Sequence, residues 1–147
     1  DLNSETIKFD KNNVVDYISN IYSAFELIID RDADYENIDA LSMASDNVWC
    51  AGVILGNPIE NWKNVDFNTL KSKLYWNDET PQEAVIKDAN PFDTLAWVIN
   101  LRLSLNLNIP KGSKIITGSV IKTRSPKKGD VVTYNVGNLS ETKIRLI

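Results

Sequence analysis

The chain has 147 residues and a mass of 16.6 kDa, with 43% hydrophobic and 24% charged residues, a formal net charge of −4 and no histidine. This composition predicts a water-soluble, cytoplasmic globule with one hydrophobic core, residues 1–147 forming a single domain. It excludes a sequence-independent nucleic-acid binder, which needs a positive field to release counterions, and no run approaches the ~18 apolar residues of a membrane span or the layout of a signal peptide.

The chain opens Asp1-Leu2-Asn3-Ser4 without an initiating Met, which hints at a processed or truncated start. Val14, Val15, Ile18, Ile21, Tyr22 and Phe25 then recur at helical spacing after Asn12 and Asn13, and predict an amphipathic helix covering a sheet. Leu27-Ile28-Ile29 suits a short strand, and the acidic run Asp30–Asp34 a loop. Asn47 to Leu55 reads as a strand stopped by Gly56-Asn57-Pro58. Within it Cys50, the single cysteine, has no disulfide partner and no zinc spacing around it, and is expected as a small buried hydrophobe.

Leu70, Ser72, Leu74 and Trp76 share one parity while Lys71 and Lys73 take the other, so Leu70–Trp76 is a strand with one buried face. Asn77-Asp78 ends it, and residues Thr80 to Lys87 pair beside it. Next comes a helix with Asn90 as cap, Pro91 at its first position and Asp93 as a capping-box acid. Its buried stripe is Phe92, Leu95, Ala96, Ile99 and Leu103. After Pro110-Lys111-Gly112 the pattern becomes short strands: Lys114-Ile115-Ile116, then Val131 to Val136 after the turn Lys128-Gly129-Asp130, then Lys143 to Ile147 after Gly137-Asn138. The charges of Lys122, Arg124, Lys127 and Lys128 read as solvated loop. Two helices grouped among many strands predict α+β, not alternating βαβ units.

Four segments, in order, resemble one family. Phe25-Glu26-Leu27-Ile28-Ile29-Asp30-Arg31-Asp32-Ala33-Asp34-Tyr35 is similar to a stretch of Glu, two aliphatics, Asp-Ser-Arg and an aromatic. Asp46-Asn47 followed by Gly52-Val53-Ile54-Leu55-Gly56 is similar to an Asp-Asn segment with an aliphatic exit. Pro91-Phe92-Asp93-Thr94-Leu95-Ala96-Trp97-Val98-Ile99-Asn100 resembles a Pro-Leu-x-Ala-Leu-Ala-Trp-Leu-Ala-Asn helix. Pro110-Lys111-Gly112 through Ile115-Ile116-Thr117-Gly118-Ser119 to Gly129-Asp130 resembles a Gly-Asp-x-x-Leu-Thr-Gly-Ser turn followed by Gly-Asp-x-Val. Together they resemble the C-terminal part of the 2-keto-4-pentenoate hydratase and 2-oxo acid decarboxylase branch of the fumarylacetoacetate hydrolase superfamily.

The resemblance implies a mixed, layered β fold with two main flanking helices and a missing N-terminal region. It implies chemistry on a short 2-oxo acid with Mg²⁺ or Mn²⁺ held by three carboxylates. A hard divalent ion prefers oxygen ligands and can polarise a 2-oxo group while an enolate forms. On this sequence the resemblance assigns Glu26 to the metal, Asp46 and Asn47 to catalysis, and Thr117 and Ser119 to the substrate carboxylate. A turn rich in hydroxyl groups is a reasonable anion cradle. Lys114, close by, reads as solvated.

Departures are equally specific. The family's other two metal ligands form a Glu-x-Glu pair upstream, yet Asp1, Glu5, Asp10 and Asp16 do not have that spacing. Ile29 and Asp30 stand where the family has Asp and Ser, unless the register slips by one and makes Asp30 an orienting neighbour of a ligand. Ala89-Asn90 replaces Gly-His, and Val48 and Trp49 follow the Asp-Asn pair in place of a small hydroxyl residue. Two readings follow: part of a metal-dependent hydratase or decarboxylase completed by an N-terminal half, or a non-catalytic structural or binding homologue. Either predicts an oligomer, as a homo-oligomer or with a separate N-terminal-half chain. Trp62, Tyr75 and Trp76 fall in or beside the expected edge segments; exposed there they would favour that interface, and a satellite core accounts for them equally well. Neither nucleic acid nor membrane is expected as a partner.

Overall fold

The computed structural model describes Leu2 and residues 7–147, so Asp1 and Glu5 lie outside the described residues. The expected helix from Val14 to Phe25 does not form. Val14–Tyr17 makes one 3-10 turn, and the chain then extends into β1, Tyr22–Ile28. Val14, Val15, Ile18 and Ile21 are β-branched, which costs side-chain freedom against a helical turn and suits a pleated surface instead. Their helical spacing reflects shared burial from a turn: Val14 packs in a cluster with Phe9, Ile99 and Leu103.

β2, Cys50–Pro58, pairs antiparallel with β1 to make a two-stranded ribbon. It starts three residues later than expected, because Asn47–Trp49 forms a 3-10 turn, and it runs through Gly56 and Asn57 to Pro58. Pro58 pairs with Tyr22 at the very end of the ladder, where a missing amide does least harm. A second, four-stranded antiparallel sheet has the order β4-β3-β5-β6, built from Gln82–Val85 (β4), Lys71–Trp76 (β3), Val131–Val136 (β5) and Ser140–Arg145 (β6).

The parity expected for β3 holds, with Ser72, Leu74 and Trp76 buried while Lys71 and Tyr75 are exposed. Of the two readings open for the aromatics, the core holds for Trp62 and Trp76, and the edge position expected for them does not. β3 is an interior strand, Trp76 (9% exposed) packs with Leu74 and Val132, and Trp62 (8% exposed) packs with Ile59 and Val136. Only Tyr75 of the three faces solvent.

Of the two α-helices among the described residues, α2, Pro91–Ser104, is the one expected, with Ala96, Ile99 and Leu103 buried and Phe92 and Leu95 partly so. Its cap differs: Asn90 takes a left-handed backbone (φ 43°) and its side chain makes no cap bond. The outer face of α2 leaves Trp97, Leu101 and Leu105 exposed at four-residue intervals. The other helix, α1, Ala40–Ser45, was not signalled by periodicity; Asp39 nucleates it by accepting from the amides of Leu41 (2.8 Å) and Ser42 (3.0 Å). Residues 111–130 form no strand, against the expectation for Lys114-Ile115-Ile116, and the last strand starts at Ser140 instead of Lys143. The class is the expected mixed α+β with antiparallel sheets.

The ribbon is bolted to the larger sheet by three buried hydroxyls. Ser23 Oγ lies 2.9 Å from Ser140 Oγ and 2.6 Å from Thr142 Oγ1, and the Ser23 amide donates to Ser140 Oγ at 3.0 Å. Ser140 donates to the Asn57 carbonyl. Since that contact uses the Ser140 proton, Ser23 must donate to Ser140 and Thr142 to Ser23, giving one directional chain from β6 into the ribbon. Ser140→Ala leaves the buried Ser23 amide unpaired and removes the bond to the Asn57 carbonyl, at a cost of about 2 kcal/mol. Urea unfolding should show a lower midpoint with an unchanged slope.

Candidate functional site

Glu26 occupies the middle of β1, opposite Val53, and its side chain is exposed. The helix-to-strand boundary expected for it does not exist, since the whole segment is strand. A register shift between Leu27 and Ile28 places Cys50 opposite Ile28, on the diagonal from Glu26. The Glu26 carboxylate raises the pKa of the Cys50 thiol, chiefly through hydrogen bonding to its protonated form, with burial adding to the effect. Cys50 is half-buried and is a partner of a charged group, not a simple core hydrophobe.

Asp46 and Asn47 sit at the same end of the ribbon, where α1 hands over to β2. Asp46 forms an ion pair with Arg31. Asn47 donates its side-chain amide to the Cys50 carbonyl at 3.2 Å. Asn47, Val48 and Trp49 all have left-handed backbones, with φ of 51°, 49° and 61°. For β-branched Val48 this conformation is strained. The bend is closed on its other side by the Ile29 amide, which donates to the Trp49 carbonyl at 3.0 Å, and by the edge-on packing of Tyr35 against Trp49 at 5.5 Å. Asp30 accepts the Tyr35 hydroxyl at 2.5 Å, which raises the Tyr35 pKa. This fixes Asp30 in the loop instead of beside Glu26.

Thr117 and Ser119 lie in the irregular segment. Gly118 between them has φ 109°, a backbone that favours glycine. Ser119 Oγ donates to the Ile121 carbonyl at 2.6 Å and accepts from its amide at 3.2 Å, so the hydroxyl closes a local turn. Lys114 extends its ammonium to the Gly112 carbonyl at 3.1 Å and is exposed. Arg124, read from sequence as solvated, instead grips Glu79 through two bonds of 2.8 and 2.9 Å and covers the Trp76 ring at 4.3 Å. That contact holds the Glu79 carboxyl below its ordinary pKa, chiefly through the Arg124 hydrogen bonds.

A divalent ion tests these donors directly. Among the described residues no group of three or more His, Cys, Asp or Glu is arranged to hold a metal. Glu26 offers one carboxylate, and its neighbour is a protonated soft thiol, a poor ligand for Mg²⁺. The residues present do not fit a complete magnesium site.

Two further features escaped the sequence reading. Asn100, at the end of the helix motif, clasps Phe9 through both amide groups, accepting from its backbone amide at 2.9 Å and donating to its carbonyl at 2.8 Å. An Asn four residues beyond buried Ala96 was the available signal, since a polar group on a core face needs a partner. A concavity of about 550 Å³ lies away from Glu26, between the outward faces of β3 and β5 and the loop before them, lined by Lys71, Lys73, Tyr75 and Asn135.

No family model matches the chain. It is 26% identical over 141 residues to 4-oxalocrotonate decarboxylase of Pseudomonas putida, covering 89% of this chain and 53% of that protein. It is 29% identical over 150 residues to 2-oxo-hept-4-ene-1,7-dioate hydratase of Escherichia coli, covering 95% of this chain and 54% of that protein. Among solved structures, 4-oxalocrotonate decarboxylase from Pseudomonas putida G7 complexed with magnesium and adipate superposes with a TM-score of 0.82 at 23% identity, over 94% of this chain and 53% of that one. The same enzyme complexed with calcium and acetate gives 0.79 at 25% identity. The chain thus spans about half the length of the relatives it matches. The ordered motifs, the matching fold and these relatives make the chain similar to part of the 4-oxalocrotonate decarboxylases and of 2-oxo-hept-4-ene-1,7-dioate hydratase.

Proposed function

We propose that the chain is part of a divalent-metal-dependent hydratase or decarboxylase acting on a short 2-oxo acid, active only when an N-terminal half supplies further carboxylates. The observation that carries this reading is Glu26, exposed at mid-strand on a ribbon whose free end also carries Asp46 and Asn47. Bound metal would supply polarisation of the 2-oxo group. This chain's own residues would supply one oxygen ligand from Glu26, an Asp46 carboxylate held in place by Arg31, and the Thr117–Ser119 turn toward the substrate carboxylate. Asn47, anchored on the Cys50 carbonyl, would orient the bend that carries Asp46.

The rival reading is a non-catalytic structural or binding homologue. It is favoured by the engagement of the nearby carboxylates, Asp46 with Arg31 and Asp30 with Tyr35. Calorimetry separates the two. The isolated chain is expected to bind Mg²⁺ with a Kd of roughly millimolar or weaker, since one carboxylate cannot offset dehydration of the ion. The native assembly is expected to bind more tightly, and Glu26→Gln to lose at least ~10-fold of that affinity, as removal of a ligand predicts. Tight binding by the isolated chain that survives Glu26→Gln overturns the placement of the site; no binding in either form selects the non-catalytic reading.

A further inference from the structure

The net charge of −4 averages over two unlike parts of the chain. Residues 111–147 carry eight Lys and Arg against two carboxylates, while the preceding residues carry eight against eighteen. The far field of the molecule follows the sum, but a ligand in contact feels only charges within a Debye length, about 8–10 Å. The fold gathers part of the positive charge on the outward face of the larger sheet. Side chains of a strand alternate between faces, so Lys71, Lys73 and Tyr75 of β3 point to the same side as Thr133 and Asn135 of β5. Lys143 and Arg145 of β6 join them, Lys143 opposite Thr133 and Arg145 opposite Val131. The Gly129 amide donates to the Leu146 carbonyl at 2.8 Å, which brings the exposed Lys127 and Lys128 to the end of β6. Glu83 lies 2.7 Å from Lys73 and 4.0 Å from Lys71, and Glu141 on β6 is the other carboxylate of this face. Lys127, Lys128, Lys143 and Arg145 form no salt bridge with any described residue.

Two groups on this face suit more than a simple anion. Tyr75 keeps 36% of its surface exposed although β3 is an interior strand. It borders the concavity of about 550 Å³, together with Lys71 and Lys73. Asn135 lines the same concavity, and its buried side-chain oxygen accepts no hydrogen bond. That oxygen is covered, so the amide has to turn outward to meet a donor; it gives up no bond of the oxygen by doing so. We propose that this face binds single-stranded nucleic acid, with one base in the concavity against Tyr75 and Asn135 and the flanking phosphates on the cations of β3, β6 and the Lys127–Lys128 turn. The ring and the amide decide the class of ligand. An acidic peptide satisfies the lysines but has no planar group to stack on Tyr75, and a duplex hides the faces of its bases. An unpaired base offers both a face for the ring and an edge of donors and acceptors for the amide. The face runs the six residues of β5, about 20 Å, which accommodates a short stretch of strand. Neither metal nor Glu26 enters, so the proposal stands apart from the hydratase or decarboxylase reading.

Fluorescence anisotropy with a labelled single-stranded oligonucleotide of about 10 nucleotides tests this on the 147-residue chain. A Kd on the order of 10 μM is expected at ~0.05 M salt. Three or four phosphate contacts predict a loss of roughly 20–50-fold when the salt is raised to ~0.2 M. Tyr75→Ala should weaken binding ~10-fold through lost stacking, whereas Tyr75→Phe keeps the ring and the affinity. Lys143→Gln and Arg145→Gln should each lower the salt slope by about 0.7, the share of one phosphate contact. Both side chains are exposed, so these two variants carry the test even where Tyr75→Ala fails to fold. No binding at ~0.05 M salt overturns the proposal. Equal binding of a duplex, or full competition by poly-glutamate of the same charge, also overturns it, since charge alone then accounts for the face. AMP competing as well as the oligonucleotide assigns the concavity to a free nucleotide and overturns the strand. A folded Tyr75→Ala with undiminished affinity overturns the placement of the base.

Discussion

Gly56→Ala is expected to destabilise the protein by about 4 kcal/mol, a large part of the 5–15 kcal/mol that holds a typical domain. Gly56 lies where the β1–β2 register shifts opposite Ser23, and β6 crosses at this point. A Cβ placed there falls well inside contact distance of the Glu141 carbonyl oxygen and the Ser23 and Thr142 hydroxyls. None of these can retreat cheaply. The carbonyl belongs to a paired strand, and the hydroxyls are links in the chain that runs to Ser140 and Asn57. The usual gain of Gly→Ala, ~0.4–1 kcal/mol from a stiffer unfolded chain, is far too small to compensate. Urea unfolding gives the loss directly. Hydrogen exchange should show the ribbon, and with it Glu26, opening before the core that α2 forms with Phe9 and Val14. A variant as stable as the parent would mean that the ribbon and β6 can separate without cost.

What the sequence made legible follows from the scale of each signal. α2 was plain because Pro91, Asp93 and the Ala96–Ile99–Leu103 stripe are all local to one element and agree with one another. The parity of Ser72, Leu74 and Trp76 likewise survives in any sheet that buries one face. β1 was misread because a 3-10 turn followed by a strand scatters apolar residues at intervals that imitate a helix, and the pairing that decides the matter lies some 30 residues away on β2. The roles of Trp62 and Trp76 depended on strand order, which no local pattern encodes.

The candidate site was legible as motifs and much less as geometry. Glu26, Asp46 and Asn47 are named from the resemblance; Glu26 lies in the middle of β1, while Asp46 and Asn47 lead into the start of β2. Their partners Cys50 and Arg31 were not foreseen, because neither bend geometry nor a register shift can be read from spacing. Thr117 and Ser119 were named too, yet the strand drawn before them is irregular chain. That segment is tied through its own Arg124 to the distant Glu79 and Trp76, partners that the sequence around Arg124 does not signal.

Trp76→Ala tests that dependence and is expected to cost about 4 kcal/mol, within the range for emptying a buried tryptophan site. Trp76 packs with Leu74 and Val132, with Phe25, Ile121, Tyr134 and Ile144 around them, so its loss opens the core between the ribbon and the larger sheet. It also removes two anchors of residues 111–130. The indole N–H donates to Asp130 at 3.1 Å, and the ring is the platform for Arg124. Asp130 has other support, accepting from the Asn77 side chain at 2.8 Å and the Lys127 amide at 2.8 Å, and these hold its carboxyl below the ordinary value, Asn77 most strongly. Trp76→Ala should therefore leave the turn before β5 formed while raising exchange across residues 117–125, the stretch carrying Thr117 and Ser119. Trp76→Phe keeps an aromatic platform and loses the indole donor, so about 1–2 kcal/mol and little change in exchange are expected. Acid offers an independent handle on the same anchors. Glu79 and Asp130 both titrate below their unfolded values of 4.5 and 3.8, so their support is complete above those values and fades as pH falls through the lower folded ones. In the parent protein, residues 117–125 should loosen on acidification below pH 3.8, and in Trp76→Ala they should already be loose at pH 7. Equal exchange of that stretch in parent and Trp76→Ala at neutral pH would mean that the turn is held by its own local bonds, such as that of Ser119 to Ile121, and that Trp76 serves the core alone.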